Sequence, residues 1–296
     1  MSDPGAPESG RTGKCIAIFV LAMIIFAFQD AITKHLSVGF PAPQLLLIRF
    51  SVFLITALAF TVRGDGIRAA FATRCLWLQI LRTLVIVAEI GLFILSVRTL
   101  PLADAHAIIA VSPLIVTALS VLLLHEQVGL RRWAAVVVGF IGILIILRPS
   151  FQAVDIGMLY ALGTAVLFAL YMVLTRIVSL KDSAGTSMIY MGVVGVIATG
   201  VLAPFYWRAP DLQSWGLLLG LGVLSTIAHL FLLKALSMTQ ASVLQPFNYT
   251  LLVWVTVVGF VVFGDFPDAW TIAGAGIVVA SGLYTIYRER ARASQP

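Results

Sequence analysis

Stretches of mostly apolar residues follow one another from Cys15 to Tyr287, and nearly every loop between them is only turn-length. Each stretch has about the length that a helix needs to cross a hydrocarbon layer of roughly 30 Å. A chain that is 60% hydrophobic and only 11% charged cannot be packed into one soluble core at this length. The sequence therefore predicts a polytopic membrane protein whose function lies within the bilayer.

The apolar runs are continuous, whereas strands of a membrane barrel alternate apolar and polar residues over about ten positions. We therefore expect an all-α membrane protein with ten transmembrane helices. The predicted spans are 15–35, 43–62, 77–97, 101–124, 130–147, 155–177, 185–206, 213–235, 241–263 and 268–287.

The placement of lysine and arginine predicts the orientation, because these residues concentrate on the cytoplasmic side. Counted over alternate loops, nearly all of them fall on the side of the two termini; the exceptions are Lys34, Arg98, Arg148 and Arg208. We therefore predict a multi-pass membrane protein with both termini in the cytoplasm. The net charge of +6 follows from this topology, and basic residues spread over many short loops form no patch for nucleic acid.

The ends of the chain and its two cysteines carry no sign of a cofactor. Residues 1–14 are polar and rich in Pro, Gly and Ser, and we expect them to form a disordered cytoplasmic tail, with 289–296 as a second tail. The first apolar run is too long for a signal peptide and has no cleavage pattern at its end. Cys15 and Cys75 both lie near the predicted cytoplasmic face, so neither a disulfide nor a metal site is indicated.

The end of the first half of the chain is similar to the end of the second half. Each has a long apolar helix, a short acidic turn, a Trp and a final helix with spaced glycines. Trp133 and Gly139 match Trp270 and Gly276 at the same separation.

With the boundary near Asp155, each half holds five spans, and an odd number makes the second copy enter the membrane from the opposite side. We therefore predict two inverted five-helix repeats, 15–150 and 151–288. Secondary transporters commonly have this architecture, with the substrate site at the repeat interface near the midplane.

The segments HEQVGLRRWAAVVVGFIGILIILRP and GDFPDAWTIAGAGIVVASGLY, which close the two halves, resemble the ends of EamA-type domains of the drug/metabolite transporter superfamily. The resemblance covers residues 15–288 in two tandem copies. It implies ten helices in two inverted repeats and transport of small metabolites across the cytoplasmic membrane. Members include bacterial exporters of amino acids, and near relatives carry S-adenosylmethionine or riboflavin, so the resemblance also implies a place in the bacterial inner (cytoplasmic) membrane.

Ionisable residues within spans are costly, so they are expected to be paired or functional. In the third span, Gln79, Arg82 and Glu89 lie on one helical face. Glu89 is a candidate for an ammonium-binding or proton-carrying carboxylate; alternatively, it pairs with Arg49 or Arg82 and only fastens helices.

Asp30 in the first span is deep enough to line a cavity. Lys34 follows four residues later, so a local ion pair is an alternative explanation of Asp30. His106 opens the fourth span, where a histidine that is hydrogen-bonded in the packing is the favoured reading. His229 in the eighth span is central enough to titrate during transport.

The cluster Gln245, Pro246, Phe247, Asn248 and Tyr249 offers amides, a proline and aromatic rings within one span. Asn and Gln also join helices by hydrogen bonds, so this cluster is either a site or a helix contact. A proline removes an internal helical hydrogen bond, and the freed carbonyl is usually tolerated beside a cavity.

The sequence thus favours a secondary carrier that moves small metabolites, most of all amino acids for export, by alternating access. Its candidate substrate-binding residues are Asp30, Arg82, Glu89, Phe168, Tyr171, His229, Gln245, Asn248 and Tyr249, with Pro113 and Pro246 as hinges.

The first alternative is an uptake carrier for S-adenosylmethionine, riboflavin or a similar larger metabolite; a channel is a more remote one. No GxxxxGK[ST] loop for ATP is present, and the absence of GxSxG and HExxH motifs argues against an intramembrane enzyme. The expected partners are the small-molecule substrate and the lipid bilayer, with no obligatory protein partner and no cofactor.

Overall fold

The computed structural model describes residues 8–63, 71–124, 130–147, 155–238, 244 and 247–293. These residues form α-helices joined by short connections, with no strand among them. The helices are α1 (Glu8–Gly39), α2 (Ala42–Arg63), α3 (Leu76–Val97), α4 (Leu102–Ile109), α5 (Ser112–Leu124), α6 (Leu130–Leu147), α7 (Ile156–Ser179), α8 (Ala184–Leu202), α9 (Leu212–Met238), α10 (Thr250–Phe263) and α11 (Ala269–Ala293).

The helices fall on the predicted spans in order, which confirms the all-α membrane class. Seven helical stretches in the described part of the chain are long and apolar enough to cross a membrane. Shorter apolar helices at Trp133–Leu147, Thr250–Phe263 and Ala269–Tyr284 occupy the fifth, ninth and tenth positions.

Large apolar side chains are exposed along the outside of the bundle, as expected for a surface in contact with lipid. On α6, Val137, Phe140, Ile141 and Leu144 are each about half exposed, between 47% and 57%. A soluble protein rarely leaves so continuous an apolar surface open to water.

The fourth span, expected as one segment over 101–124, is divided into α4 and α5 by a turn at residues 110–111. Pro113 is the second residue of α5, where its missing N–H is tolerated. The hydroxyl of Ser112 donates to the carbonyl oxygen of Ile109 at 2.5 Å and so satisfies one of the groups at the break. The break in the fourth span lies next to Pro113, which the sequence indicated as a hinge. Movement at this hinge stays a prediction.

The helices pack in pairs related by a shift of five spans. The third span packs against the sixth (α3 and α7), and the first packs against the eighth (α1 and α9). The second packs against the seventh (α2 and α8), and the fifth against the tenth (α6 and α11). A shift by five spans turns the pair of the third and sixth spans into the pair of the eighth and first. It leaves the other two pairs unchanged.

The glycines of the fifth and tenth spans explain part of the repeated pattern. A Cβ at Gly142 would lie 2.8 Å from the carbonyl oxygen of Gly274, and a Cβ at Gly274 would lie 2.6 Å from that of Gly142. Both distances are too short, so α6 and α11 approach this closely only because both residues lack a side chain. Close backbone approach through small residues is a common means of joining membrane helices.

Candidate functional site

Five ionisable side chains from different helices lie in one region inside the bundle: Asp30, Arg49, Glu89, His106 and His229. We call them the central cluster. They come from α1, α2, α3, α4 and α9, and the helices of this group pack on one another. Asp30 and Glu89 each lie about two turns or more from either end of their helix, so both are deep in the membrane.

Asp30 is 6% exposed and accepts hydrogen bonds at both oxygens. Its Oδ2 lies 3.0 Å from Nε2 of His106, and its Oδ1 accepts from the Gln29 amide at 3.0 Å. The expectation of a local pair with Lys34 is wrong, because the Lys34 ammonium is bound instead to Asp265, at 2.6 Å. Asp30 thus joins α1 to α4 next to the break in the fourth span.

Glu89 is 8% exposed and accepts no hydrogen bond from any described residue. Its electrostatic neighbours are Arg49, which attracts it, and Asp30, which repels it. Arg49 in turn interacts with both carboxylates and makes no hydrogen bond with a described residue. The polar atoms of both residues lack hydrogen-bond partners among the described residues but are not fully enclosed, so a small part of each charged group faces the space between the helices.

The predicted alternative pairing of Glu89 with Arg82 is absent within the described residues. Arg82 donates from Nη2 to Gln79 Oε1 at 3.1 Å and to the Ser187 carbonyl at 2.9 Å. Its guanidinium also lies over the ring of Tyr171, 5.7 Å from the ring centre. Arg82 therefore joins α3 to α7 and α8, one or two turns away from the central cluster.

Aromatic rings surround the histidines. Phe26 and Phe53 present their edges to His229, with ring centres 5.6 Å and 6.0 Å away. Phe93 packs in the same way against His106, at 5.4 Å.

The remaining predicted site residues are spread over other regions. Phe168 and Tyr171 pack as a tilted pair on α7, and the Tyr171 hydroxyl contacts the sulfur of Met191 at 3.8 Å. Asn248 is half-buried and makes no hydrogen bond with a described residue. Gln245 and Pro246 lie outside the described residues.

The hydroxyl of Tyr249 is enclosed and has no hydrogen-bond partner among the described residues. It packs against Gly282 of α11 so closely that a Cβ at that glycine would overlap it. Tyr249 therefore faces the tenth span, and its expected place in a substrate site stays a prediction.

A second polar cluster, which the sequence did not reveal, lies at the start of α3. Asp182, in the loop between α7 and α8, accepts hydrogen bonds from Thr73 Oγ1, from the Arg74 N–H at 2.8 Å, from Cys75 Sγ at 3.3 Å and from Gln79 Nε2 at 2.9 Å. We call these five residues the Asp182 cluster. These contacts could not be predicted from local spacing in the sequence, because Asp182 and its partners are separated by more than one hundred positions.

The electrostatics of the Asp182 cluster follow from these bonds. Burial by itself would raise the pKa of Asp182, but the bonds from Arg74, Thr73, Gln79 and Cys75 together outweigh it and lower the pKa to about 2. Burial, reinforced by Asp182, raises the pKa of the Cys75 thiol, which therefore stays a neutral donor. The cluster is a fully ionised carboxylate held by loop and helix donors.

The opposite ends of the helices are joined by a different set of contacts. Gln44 donates to the carbonyl oxygen of Arg208 at 2.8 Å and accepts from its N–H at 3.0 Å. The Arg208 guanidinium donates to the Gly39 carbonyl at 2.8 Å, and Lys34 is paired with Asp265. The bonds of Gln44 and Arg208 connect the loops after the first and seventh spans, and the Lys34 pair connects α1 to the loop after the ninth span. The Asp182 cluster likewise connects the loops after the second and sixth spans.

No group of histidine, cysteine and acidic side chains suited to a metal ion occurs among the residues that the structure describes.

Comparison with known proteins assigns the family. The model of the EamA-like transporter family matches residues 13–148 and again residues 155–287.

Three curated relatives match over nearly their full length. The S-adenosylmethionine uptake transporter of Rickettsia prowazekii is 27% identical over 275 residues, 93% of each chain. The riboflavin transporter of Vibrio cholerae is 30% identical over 264 residues, 88% of each chain. The pseudopaline exporter of Pseudomonas aeruginosa is 26% identical over 271 residues, 90% of this chain and 93% of the relative.

A solved crystal structure shares the fold, with a TM-score of 0.67 at 17% identity over 94% of this chain and 99% of the other. Together, the paired family matches and the full-length relatives agree with the helical membrane architecture and exclude the enzyme class. The chain belongs to the EamA-like transporter family.

Proposed function

We propose that this protein is a secondary carrier for a metabolite of the kind represented by S-adenosylmethionine or riboflavin, and that the metabolite binds at the central cluster. The proposal rests on the relatives, which are named as carriers of these two compounds and match over most of both chains. Amino-acid export, which the sequence favoured, has less support because none of these relatives is named for it.

One observation at the site carries the proposal. The charged groups of Glu89 and Arg49 lie deep between helices, remain accessible and make no hydrogen bond with a described residue. Charges inside a membrane protein cost several kcal/mol unless they are compensated, so they are kept where they serve a function. A substrate with polar or charged groups would supply the missing partners.

Transport by alternating access is part of the proposal. The bundle is joined at one end by the Asp182 cluster and at the other by the contacts of Gln44, Lys34 and Arg208. We propose that these two sets of contacts open in turn, each giving the central cluster access to one side. Two inverted five-helix repeats, 15–150 and 151–288, would make the two closures equivalent, and the pairing of helices at a shift of five spans supports that division.

We further propose that the carrier lies in the inner membrane with both termini in the cytoplasm. Gly185 is exposed near the Asp182 cluster, and Gly39 is exposed at the opposite end of the helices. In a variant without Cys15 and Cys75, a cysteine at Gly39 should react with an impermeant maleimide added outside intact cells, and one at Gly185 should not. The reverse pattern would invert the orientation.

The function is tested with purified protein in liposomes. We expect saturable uptake and counterflow of S-adenosylmethionine or riboflavin from a panel that includes the amino acids. Glu89→Gln should reduce this flux at least tenfold, while the matched control Val138→Leu on the exposed face of α6 should not change it. Uptake of amino acids alone would restore the amino-acid reading, and a linear flux without saturation would indicate a channel.

A further inference from the structure

The balance of charge in the central cluster points to the class of substrate. Asp30 and Glu89 are the two carboxylates of the cluster, and Arg49 is the arginine that interacts with both of them. Arg82, which lies on the same helix as Glu89, is bound to Gln79 and Ser187 and is not one of the electrostatic partners of Glu89. One guanidinium therefore faces two carboxylates.

The two carboxylates differ in the number of hydrogen bonds that they accept. Both oxygens of Asp30 already have partners, His106 and Gln29. Glu89 has none among the described residues, and its oxygens remain accessible. Glu89 is therefore the carboxylate of the cluster that a cation could approach.

The surroundings of Glu89 suit an organic cation rather than a metal ion. Phe93 is one turn further along the same face of α3, and its ring packs against His106. Aromatic rings attract weakly hydrated cations such as sulfonium and quaternary ammonium groups. The described residues provide no group of ligands for a metal ion.

We propose that Glu89 binds a fixed positive charge on the substrate, so that the carrier selects an onium metabolite over its uncharged analogue. This inference rests on the proposed function and narrows it: S-adenosylmethionine, a sulfonium, fits the cluster, and riboflavin, which is uncharged, does not. Arg49 is then free to bind an anionic group of the same substrate, such as a carboxylate.

S-adenosylmethionine and S-adenosylhomocysteine provide the test, because the second lacks only the methyl group and the positive charge. The wild-type protein, purified in detergent, should bind the sulfonium at least tenfold more tightly, equivalent to about 1.4 kcal/mol. The same preference should hold when the two compounds compete for uptake into liposomes.

The variant Glu89→Gln should bring the two affinities to within about twofold of each other, chiefly by weakening the binding of S-adenosylmethionine. Glu89→Asp should keep the preference for the sulfonium compound. Asp211→Asn is the matched control, since it removes an exposed carboxylate outside the cluster and outside both closures and should leave the ratio unchanged. Size-exclusion profiles and melting curves show whether each variant is folded, and Glu89→Ala, which also removes the charge, provides the test if Glu89→Gln does not fold.

Three results would overturn the inference: equal affinity of the wild type for the two compounds, a preference that survives Glu89→Gln, or transport of riboflavin with binding of neither adenosyl compound. The last result leaves the proposed function intact. Failure to transport any metabolite of the panel would instead remove the proposed function itself.

Discussion

Asp182 and Glu89 are two carboxylates that belong to the same part of the fold and differ in their hydrogen bonds. Asp182, in the loop between α7 and α8, packs against the start of α3 and accepts bonds from Thr73, Arg74, Cys75 and Gln79. Glu89 lies within α3, is more deeply placed, and accepts none from the described residues.

The difference separates a charge that holds the structure from one that is available to a ligand. A carboxylate that accepts several hydrogen bonds is stabilised in its ionised form and fixes the elements that supply the donors. A buried carboxylate with accessible oxygens and no hydrogen bonds destabilises the protein on its own, and binding of a cation would remove that cost. We expect substitutions at the two positions to have opposite consequences.

The largest effect on stability is expected at Asp182. Asp182→Ala leaves the donors of the Asp182 cluster without their acceptor and should destabilise the protein by about 1.5 to 3 kcal/mol. Glu89→Gln, the comparison variant, should change stability by less than about 1 kcal/mol, or even raise it. Melting curves of the purified variants measure both, and a harmless Asp182→Ala beside a destabilising Glu89→Gln would exchange the two roles.

Tyr249 extends the comparison to a polar group that lacks a partner and is also enclosed. Gly282→Ala should destabilise the protein by about 1 to 3 kcal/mol, because its Cβ would overlap the Tyr249 hydroxyl. Tyr249→Phe removes that oxygen and should partly restore the stability of the double variant, with substrate affinity unchanged.

If Tyr249 lines the substrate site instead, Tyr249→Phe will weaken substrate binding and will not rescue Gly282→Ala. Measuring both properties on the same four proteins decides between packing and binding. Measurements of stability alone would not test whether Tyr249 binds the substrate.

The helices and one polar face could be predicted from the sequence, because both depend on local periodicity. Continuous apolar runs predicted the positions of the spans, although the fourth was expected as one helix and is divided into α4 and α5 beside Pro113. The three- and four-residue spacing of Gln79, Arg82 and Glu89 predicted one face of α3, and the structure buries all three.

The partners of these residues could not be predicted, because they are set by the packing order of the helices. The i, i+4 spacing suggested that Asp30 pairs with Lys34, yet their partners are 76 and 231 positions away, at His106 and Asp265. Asp182 could not be singled out from the sequence, because a single acidic residue in a short loop is common in membrane proteins.

A smaller effect is expected for the pair Lys34 and Asp265, at the opposite end of the helices from Asp182. Their side chains are 15% and 33% exposed, so water weakens the attraction across the 2.6 Å contact. A double-mutant cycle with Lys34→Gln and Asp265→Asn should give a coupling of about 1 kcal/mol or less. A coupling as large as the loss expected at Asp182 would show that the two ends are closed with similar strength.

The smallest effect is expected from pH in the ordinary range, and it follows from the pKa of Asp182 of about 2. An unfolded aspartate has a pKa of about 3.9, so the folded value is depressed and the contribution of Asp182 to stability is fully present above that value. The difference in melting temperature between the wild type and Asp182→Ala should therefore be constant from about pH 5 to pH 8. It should shrink as the pH falls from about 4 towards 2, where the folded protein also takes up the proton.

A difference that already changes between pH 5 and pH 8 would mean that the four hydrogen bonds do not hold this carboxylate in its ionised form, and the contrast with Glu89 would lose its basis.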